Sequence, residues 1–259
     1  MGCCGSGQDF ASYEGLEQDL PERSLVDIND QYLRFELSLP FARTMINRFF
    51  EKVDNAEKAS GGSGFVTFDA LQAELCTPAW SGLGSPESTL HRLLNSDLFA
   101  GPDGNVDGQI NADWLRIYGL LHCKGDPQDK AKHFYCLLQG GLDKQEYISA
   151  ADKDLAPIFT QICAFATWGL FEVTAEHGFI PDNYSEQTDA LKEQVETVQE
   201  DQFVEDVFGI QSKLENQVWL DTISDKVYWV LDTVELRRRL FEAAGIEAKH
   251  FNAAAIGGN

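Results

Sequence analysis

The sequence has few basic residues for its length. It contains 20 Lys and Arg residues against 42 Asp and Glu residues among 259, which gives a formal net charge of −22. Such a surplus of negative charge repels nucleic-acid phosphates and anionic lipid headgroups. We therefore expect no nucleic-acid binding. The surplus favours a cation-binding protein or a partner with a basic face, and a solvated acidic surface that keeps the protein soluble is the alternative.

Long apolar runs are also missing. A helix that spans a bilayer needs about 18 or more apolar residues in succession, and no stretch of this chain approaches that. Hydrophobic residues nevertheless make up 43% of the sequence, with 17 Phe and 5 Trp, which is enough for a packed core. The sequence predicts a globular protein in which any membrane contact comes from something other than a spanning segment.

Motifs of catalysis and of metal or disulfide frameworks are absent. The chain has no GxSxG, HExxH, GxxxxGK[ST] or Rossmann pattern, and its five His residues are scattered. Four cysteines lack CxxC or Cys/His spacing and have apolar neighbours, so we expect reduced thiols in the core. These are Cys76, Cys123, Cys136 and Cys163. The sequence therefore predicts a protein of a reducing compartment that is not an enzyme.

The first six residues, MGCCGS, match the N-myristoylation pattern M-G-x-x-x-[ST] at Gly2. They have neither the basic region nor the apolar core of a secretory signal. One myristoyl chain binds a membrane only marginally, and residues 1–30 carry seven acidic residues and one basic residue, so a basic patch is not the second anchor. Cys3 and Cys4 are then the predicted palmitoylation sites. We expect a lipidated flexible tether over residues 1–37 with at most one short helix, and a disordered Gly/Cys-rich tip is the alternative.

The body of the chain repeats one supersecondary unit. An apolar helix is followed by a Gly-rich loop, a β-branched residue and another helix. The β-branched residues are Val66, Ile110, Ile148 and Ile180, at intervals of 44, 38 and 32 residues. Each unit has to pair with a neighbour to cover its apolar face. The pattern predicts four units in two pairs.

One loop of this repeat carries a specific motif. Asp103, Asn105 and Asp107 stand at its first, third and fifth positions, Gly108 at the sixth and Ile110 at the eighth. This loop resembles the 12-residue calcium loop of the EF-hand superfamily, and the resemblance is coarse over about residues 40 to 185. The resemblance implies a mainly α fold of paired helix-loop-helix units with short β pairs between the loops. It also implies calcium as the cofactor.

The resemblance implies five oxygen donors in this loop. They are the side chains of Asp103, Asn105 and Asp107, the backbone carbonyl of Gln109, and Asn111 directly or through water. Trp114 stands at the twelfth position, where the family has a bidentate Glu, and Asp113 comes one place early. Two carboxylates without that clamp predict binding in the ~10⁻⁴–10⁻³ M class or none. The other loops depart further, so we expect at most one site. The alternative is a loop that binds no ion and in which the Asp and Gly residues serve only to form turns.

Residues 185–259 are predicted to form additional helices after an EF-hand-like region at 38–184. The apolar stripe of LENQVWLDTISDKVYWVL, which includes Val218, is too broad to stay exposed, so we expect it to pack on the helix-loop-helix units. A separate helical hairpin is the alternative. The cluster at 237–239, three Arg residues, lies near the end of a predicted helix, where cations are favoured; a docking patch is the alternative.

Together these patterns favour a membrane-anchored calcium-binding signalling protein of EF-hand type. We expect it at the cytoplasmic face of a eukaryotic plasma or ciliary membrane, bound to a partner protein through an amphipathic or basic helix. Loops that have lost the ion still permit the paired packing, because the apolar helix faces carry the stability. A membrane-tethered adaptor that keeps the fold without binding calcium is therefore the alternative.

Overall fold

The computed structural model describes residues 28–100, 108–139, 146–174 and 184–246. These residues form a mainly α fold with two small antiparallel strand pairs, which confirms the predicted fold class at this level. Within these ranges no helix combines the length and the apolar composition that crossing a membrane requires.

The elements of the first half run from α1 to α5. They are α1 (Ile28–Ser38), a 3₁₀ turn (Pro40–Arg43), α2 (Ile46–Ala59), β1 (Phe65–Thr67), α3 (Phe68–Glu74), a 3₁₀ turn (Pro78–Gly84), α4 (Thr89–Leu94), a 3₁₀ turn (Asp97–Phe99), β2 (Gln109–Asn111) and α5 (Ala112–His122).

The elements of the second half run from α6 to α12. They are α6 (Pro127–Gln139), β3 (Tyr147–Ser149), α7 (Leu155–Ala166), α8 (Trp168–Thr174), α9 (Tyr184–Val198), a π-helical segment (Gln199–Val204), α10 (Glu205–Phe208), β4 (Lys213–Glu215), α11 (Asn216–Asp221), a π-helical segment (Thr222–Lys226), a 3₁₀ turn (Tyr228–Leu231) and α12 (Thr233–Ala243).

Short polar side chains fix where several helices begin. Thr67 accepts a hydrogen bond from the backbone N–H of Ala70 at the start of α3, and Asp232 accepts two from the first turn of α12. Such caps satisfy N–H groups that have no partner inside the helix. Gly209 ends α10 with φ of +53°, a left-handed conformation that glycine adopts without strain.

The first strand pair joins β1 to β2 as the repeat predicts. Val66 lies opposite Ile110 in an antiparallel register, and both side chains are fully buried. The β-branched residues that follow the first two Gly-rich loops are therefore partners in the structure.

The second strand pair has a different partner from the expected one. Ile148 of β3 lies opposite Leu214 of β4, so the expectation that Ile148 and Ile180 mark the two members of the second pair is wrong. Ile180 itself lies outside the described residues. The fourth helix-loop-strand-helix unit is formed by α9, α10, β4 and α11, and its pairing crosses the boundary predicted at residue 184.

The N-terminal boundary also differs from the expected one. Residues 28 to 38 form α1, in which Tyr32 is fully buried and Phe35 is 7% exposed. The boundary predicted at residue 37 therefore falls inside a packed helix. The buried residues Tyr32, Phe35 and Leu39 recur at helical spacing, but over too short a stretch to indicate that this helix belongs to the core.

The helices share one hydrophobic core to which both halves contribute. In the first half the 3₁₀ turn before α2 places Phe41 against Phe49 and Tyr118, with ring centroids 5.3 and 4.8 Å apart. In the second half the rings of Trp229 and Phe203 pack edge to face, with their centroids 6.3 Å apart. At both places the space between helices is thus filled by aromatic rings of the chain itself.

The C-terminal helices pack on the rest of the protein, as expected. Leu236, Leu240 and Phe241 of α12 belong to the common core. Arg237 is fully buried and donates hydrogen bonds to the carboxylate of Glu36 in α1 and to the carbonyl oxygen of Ala166. This ion pair joins the first described helix to the last.

The arginine cluster at 237–239 is not a free docking patch. Arg237 is buried, and Arg238 pairs with Glu235 and Glu242 on its own helix. The guanidinium of Arg239 lies 4.3 Å from the centre of the Trp229 ring. The arginines therefore stabilise the fold, as the first interpretation has it. The stabilisation comes from a buried ion pair and from stacking on a ring, and not from the helix dipole.

Candidate functional site

The described part of the predicted calcium loop begins at Gly108. Asp103, Asn105 and Asp107 lie outside the described residues, as do Gly2, Cys3 and Cys4. Gly108 has φ of +75°, and a Cβ built there would meet no atom within 4 Å. The position therefore requires glycine for its backbone conformation and not for space.

Gln109 and Asn111, the two described members of the predicted ligand set, lie in β2. Gln109 is opposite Thr67 and Asn111 opposite Phe65 in the strand register. The Asn111 side-chain oxygen accepts a hydrogen bond of 3.0 Å from the backbone N–H of Trp114. Because this contact caps α5, Asn111 has a defined structural role whether or not an ion is bound.

The exit of the loop is occupied by an ionic network and not by a bidentate carboxylate. Trp114 is partly buried and packs against the core. The carboxylate of Asp113 accepts a hydrogen bond of 2.9 Å from Arg116, whose guanidinium also reaches Asp54 at 2.7 Å and Glu57 at 2.5 Å. Asp113 is therefore engaged with a cation of the chain itself, and the network ties α2 to α5.

The electrostatics of this network favour the charged arginine. Burial alone would lower the pKa of the Arg116 guanidinium, but its hydrogen bonds to Glu57 and Asp54 raise it. The Arg116 side chain is 14% exposed, against 51% for Asp54 and 69% for Asp113. Solvent screens the exposed partners, so the contact with Glu57 contributes most of the attraction.

The donor chemistry fits calcium in part. The five predicted donors are oxygens, the ligands that calcium takes in proteins, but six to eight are usual and no bidentate carboxylate follows them. Within the described ranges no group of three or more His, Cys, Asp and Glu side chains is arranged to hold a metal ion.

The first Gly-rich loop is closed without any carboxylate. Residues 60–67 contain no Asp or Glu. The Ser60 hydroxyl donates to the carbonyl oxygen of Ala56 at 2.8 Å and accepts from the backbone N–H of Thr67 at 3.0 Å. The interval from Phe50 to Val66 is 16 residues, five more than the interval from Phe99 to Ile110. Because α2 continues to Ala59, these five extra residues lengthen the helix and the glycine turn, and one hydroxyl joins both sides of the loop.

The loop before β4 is closed in a similar way. Residues 207–214 contain no Asp or Glu. The backbone N–H of Gln211 donates to the carbonyl oxygen of Phe208 at 2.8 Å, and the carbonyl oxygen of Ser212 accepts from Ala150 at 3.1 Å. Residues 140–145, which precede β3, lie outside the described residues. Both described loops are thus closed by hydrogen bonds within the chain.

The second strand pair carries an exposed apolar surface that the sequence patterns did not predict. Val218, which the apolar stripe predicted to be packed, is 46% exposed, Tyr147 is 45% exposed, and the side chain of Ile210 is fully exposed. Tyr147 and Val218 border an open depression of about 450 Å³, and Ile210 directly precedes Gln211, which also lines it. Its lining residues are Tyr147, Gln211, Lys213, Leu214, Glu215 and Val218. The clue in the sequence was the isoleucine within the polar loop Gly209–Ser212.

The cysteines and histidines form no reactive constellation in the described part of the chain. All four described cysteines are free, and burial raises the pKa of the Cys123 and Cys163 thiols. Cys76 is exposed, so the predicted core location is wrong for that residue. Burial holds the pKa of His122 well below its usual value, and its Nε2 atom has no hydrogen-bond partner among the described residues.

Comparisons of the chain with protein-family models, with curated proteins and with solved structures find no match.

Proposed function

We propose that this protein is a lipid-anchored signalling protein of EF-hand type, in which the loop starting at Asp103 binds one calcium ion weakly. The observation that carries the proposal is the backbone of the described end of this loop. Gly108 is left-handed, Ile110 is buried opposite Val66, and Asn111 caps α5. These features at the sixth, eighth and ninth positions are those that a calcium loop needs to turn and to pair.

The donor set determines the expected affinity. Asp103, Asn105 and Asp107 would supply side-chain oxygens, Gln109 a backbone carbonyl, and Asn111 a contact through water because its oxygen already caps α5. Water would complete a coordination of six to eight oxygens. With two carboxylates and no bidentate clamp, the expected dissociation constant is about 10⁻⁴–10⁻³ M.

The proposed tether consists of a myristoyl group on Gly2 and palmitoyl groups on Cys3 and Cys4. Two acyl signals give stable anchoring where one does not, and the acidic N-terminal segment supplies no basic patch. The tether would hold α1 and the body of the protein at the cytoplasmic face of a eukaryotic plasma or ciliary membrane, where a partner protein is bound.

A calcium-independent adaptor with the same fold is the second candidate. It is favoured by the closure of the loop at 60–67 by Ser60, by the loop at 207–214, and by the engagement of Asp113 with Arg116. In that case the loop at Asp103 would serve only its turns, and the lipid tether and partner binding would remain.

Calcium titration of the unacylated full chain by calorimetry, in millimolar magnesium, separates the two candidates. Asp103→Ala removes the first proposed ligand, and Asp152→Ala is the matched control because it removes an acidic side chain outside this loop. We expect binding in the parent and in Asp152→Ala, and none in Asp103→Ala. No heat in the parent, or heat that persists in Asp103→Ala, would contradict the calcium site and leave the adaptor.

The tether is tested separately in eukaryotic cells. We expect Gly2→Ala to lose both the myristoyl label and the membrane fraction, and the paired change Cys3→Ser with Cys4→Ser to keep the label but bind the membrane weakly. A Gly2→Ala variant that stays with the membrane would contradict the tether whatever the calcium result.

A further inference from the structure

We propose that the outer surface of the second strand pair docks a basic amphipathic segment of a partner protein. We call this surface the β3–β4 face and define it as the depression that Tyr147 and Val218 border together with the exposed side chain of Ile210, the residue before Gln211. The proposal deepens the proposed function because it assigns the partner site, and it rests only on the partner-binding part of that function and not on calcium.

The apolar side chains on this face are concentrated and not scattered. Four large hydrophobic side chains are exposed among the described residues, and three of them lie on the β3–β4 face; the fourth is Met45. Single exposed apolar residues are ordinary, whereas a cluster rimmed by polar groups marks an interaction site. Ile210 directly precedes Gln211, which lines the depression.

Two of the spaces between helices are filled by aromatic rings of the chain itself, Phe41 against Phe49 and Tyr118 in the first half, and Trp229 against Phe203 in the second. On the described part of the chain, the β3–β4 face offers a partner exposed apolar side chains with a depression beside them.

The charges around the face select a basic partner. Residues 200–226 contain seven acidic residues and two lysines. Lys213 and Glu215 both line the depression, so the negative excess comes from the rest of this segment. Asp221 lies one helical turn after Val218, and Glu205 precedes Ile210 by five residues. None of these seven carboxylates forms an ion pair with another described residue, in contrast to Asp54 and Glu57, which bind Arg116.

The same charges disfavour the other occupants. A second copy of this chain carries a formal charge of −22, and an anionic membrane surface is repelled as well. A helix with apolar residues at i and i+3 or i+4 would place one side chain in the depression and one against Ile210, while flanking Lys or Arg residues reach the acidic rim. Calcium is not required for this contact.

The test uses a labelled 18-residue amphipathic peptide of Leu and Lys as the probe, titrated with the unacylated full chain by fluorescence anisotropy. A peptide with every Leu replaced by Gln keeps the charge and removes the apolar face. Ile210→Ser combined with Val218→Ser removes two exposed apolar side chains, and Met45→Ser is the matched control elsewhere on the surface. Equal urea midpoints establish that the variants are folded.

We expect the Leu/Lys peptide to bind the parent and Met45→Ser equally, and the double variant about tenfold or more weakly, because two buried aliphatic contacts are lost. The Gln/Lys peptide should bind weakly to all three. Equal binding of both peptides, or equal binding by the double variant, would overturn the proposal in favour of a merely acidic surface. A parent dimer in sedimentation that the double variant abolishes would overturn it in favour of a self-interface.

The titration is run in EDTA and again in calcium, which keeps this inference separate from the proposed function. Peptide binding that needs Ile210 and Val218 in EDTA supports the β3–β4 face even if no calcium heat is found. If the peptide does not bind through Ile210 and Val218 but calcium binding gives a heat that Asp103→Ala abolishes, the β3–β4 face is refuted as a docking site and the calcium proposal stands.

Discussion

Removing the buried guanidinium of Arg237 is expected to destabilise the protein strongly and in a pH-dependent way. Arg237 is fully buried and its partner Glu36 is 3% exposed. Thr233 donates a further hydrogen bond of 3.1 Å to the Glu36 carboxylate, and Arg237 also donates to the Ala166 carbonyl at 2.6 Å. Arg237→Met keeps most of the apolar stem and leaves the carboxylate without its cation.

The expected loss in the free energy of unfolding is about 3–5 kcal/mol at pH 8, the usual cost of removing one member of a buried ion pair. Burial already raises the pKa of Glu36 above its ordinary 4.5, against the lowering effect of Arg237. Without Arg237 that pKa rises further. A carboxyl whose pKa is raised in the folded state stabilises below its unfolded pKa and loses that contribution as the pH rises. The penalty of Arg237→Met should therefore shrink from pH 8 to pH 5.5.

Arg238→Met is the matched control, because Arg238 is the next residue and makes ion pairs of the same kind on the surface, with a side chain 46% exposed. Exposed pairs contribute about 0–1 kcal/mol. Urea unfolding of the parent and both variants at pH 8 and pH 5.5 measures the difference. The reasoning is refuted if Arg237→Met costs less than about 1 kcal/mol at pH 8, or if its penalty is the same at both pH values.

Two further predictions concern the interior of the first half. Gly119→Ala should destabilise the protein by about 2 kcal/mol in urea unfolding, because the new Cβ would lie 2.2 Å from the buried Phe49 ring. Helix propensity alone would favour alanine by about 1 kcal/mol. A stabilised variant would therefore contradict the packing of α5 on α2. His122→Phe should flatten the pH dependence of the free energy of unfolding below pH 6.5. Burial lowers the pKa of His122, so the parent loses up to about 1.4 kcal/mol of stability per pH unit as the pH falls. An unchanged slope in the variant would show that His122 is not the group responsible.

The strand pairs show how far sequence patterns reach in this protein. Val66 and Ile110 could be matched because each is β-branched and follows a Gly-rich loop, and burial then decides their register. Leu214 could not be matched in the same way, because leucine is not β-branched and its loop has neither Asp nor the expected spacing. Local propensity identifies a unit of this repeat, but the choice of partner depends on packing across 66 positions between Ile148 and Leu214.

The buried ion pair between Glu36 and Arg237 could not be predicted from sequence patterns either. Glu36 is a charged residue between Phe35 and Leu37, and Arg237 lies in a run of three arginines, so each is most simply assigned to the surface. Only the packing of α1 on α12 brings them together. The predicted ligands were easier to propose because they follow one another in a single loop, but Asp103, Asn105 and Asp107 lie outside the described residues and their role stays a prediction.

The proposed calcium loop and the β3–β4 face belong to different strand pairs, and this separation has a consequence for signalling. Calcium at the Asp103 loop would act on β2 and α5, which Arg116 already ties to α2. The face is formed by β3, β4 and α11, which meet the first half through the common core. Coupling requires that the ion change a state to which the partner also responds. A core continuous between both pairs permits such coupling, whereas the hydrogen-bonded closure of the loops at 60–67 and 207–214 stabilises both pairs without the ion. We therefore expect partner docking to persist without calcium and calcium to adjust its strength.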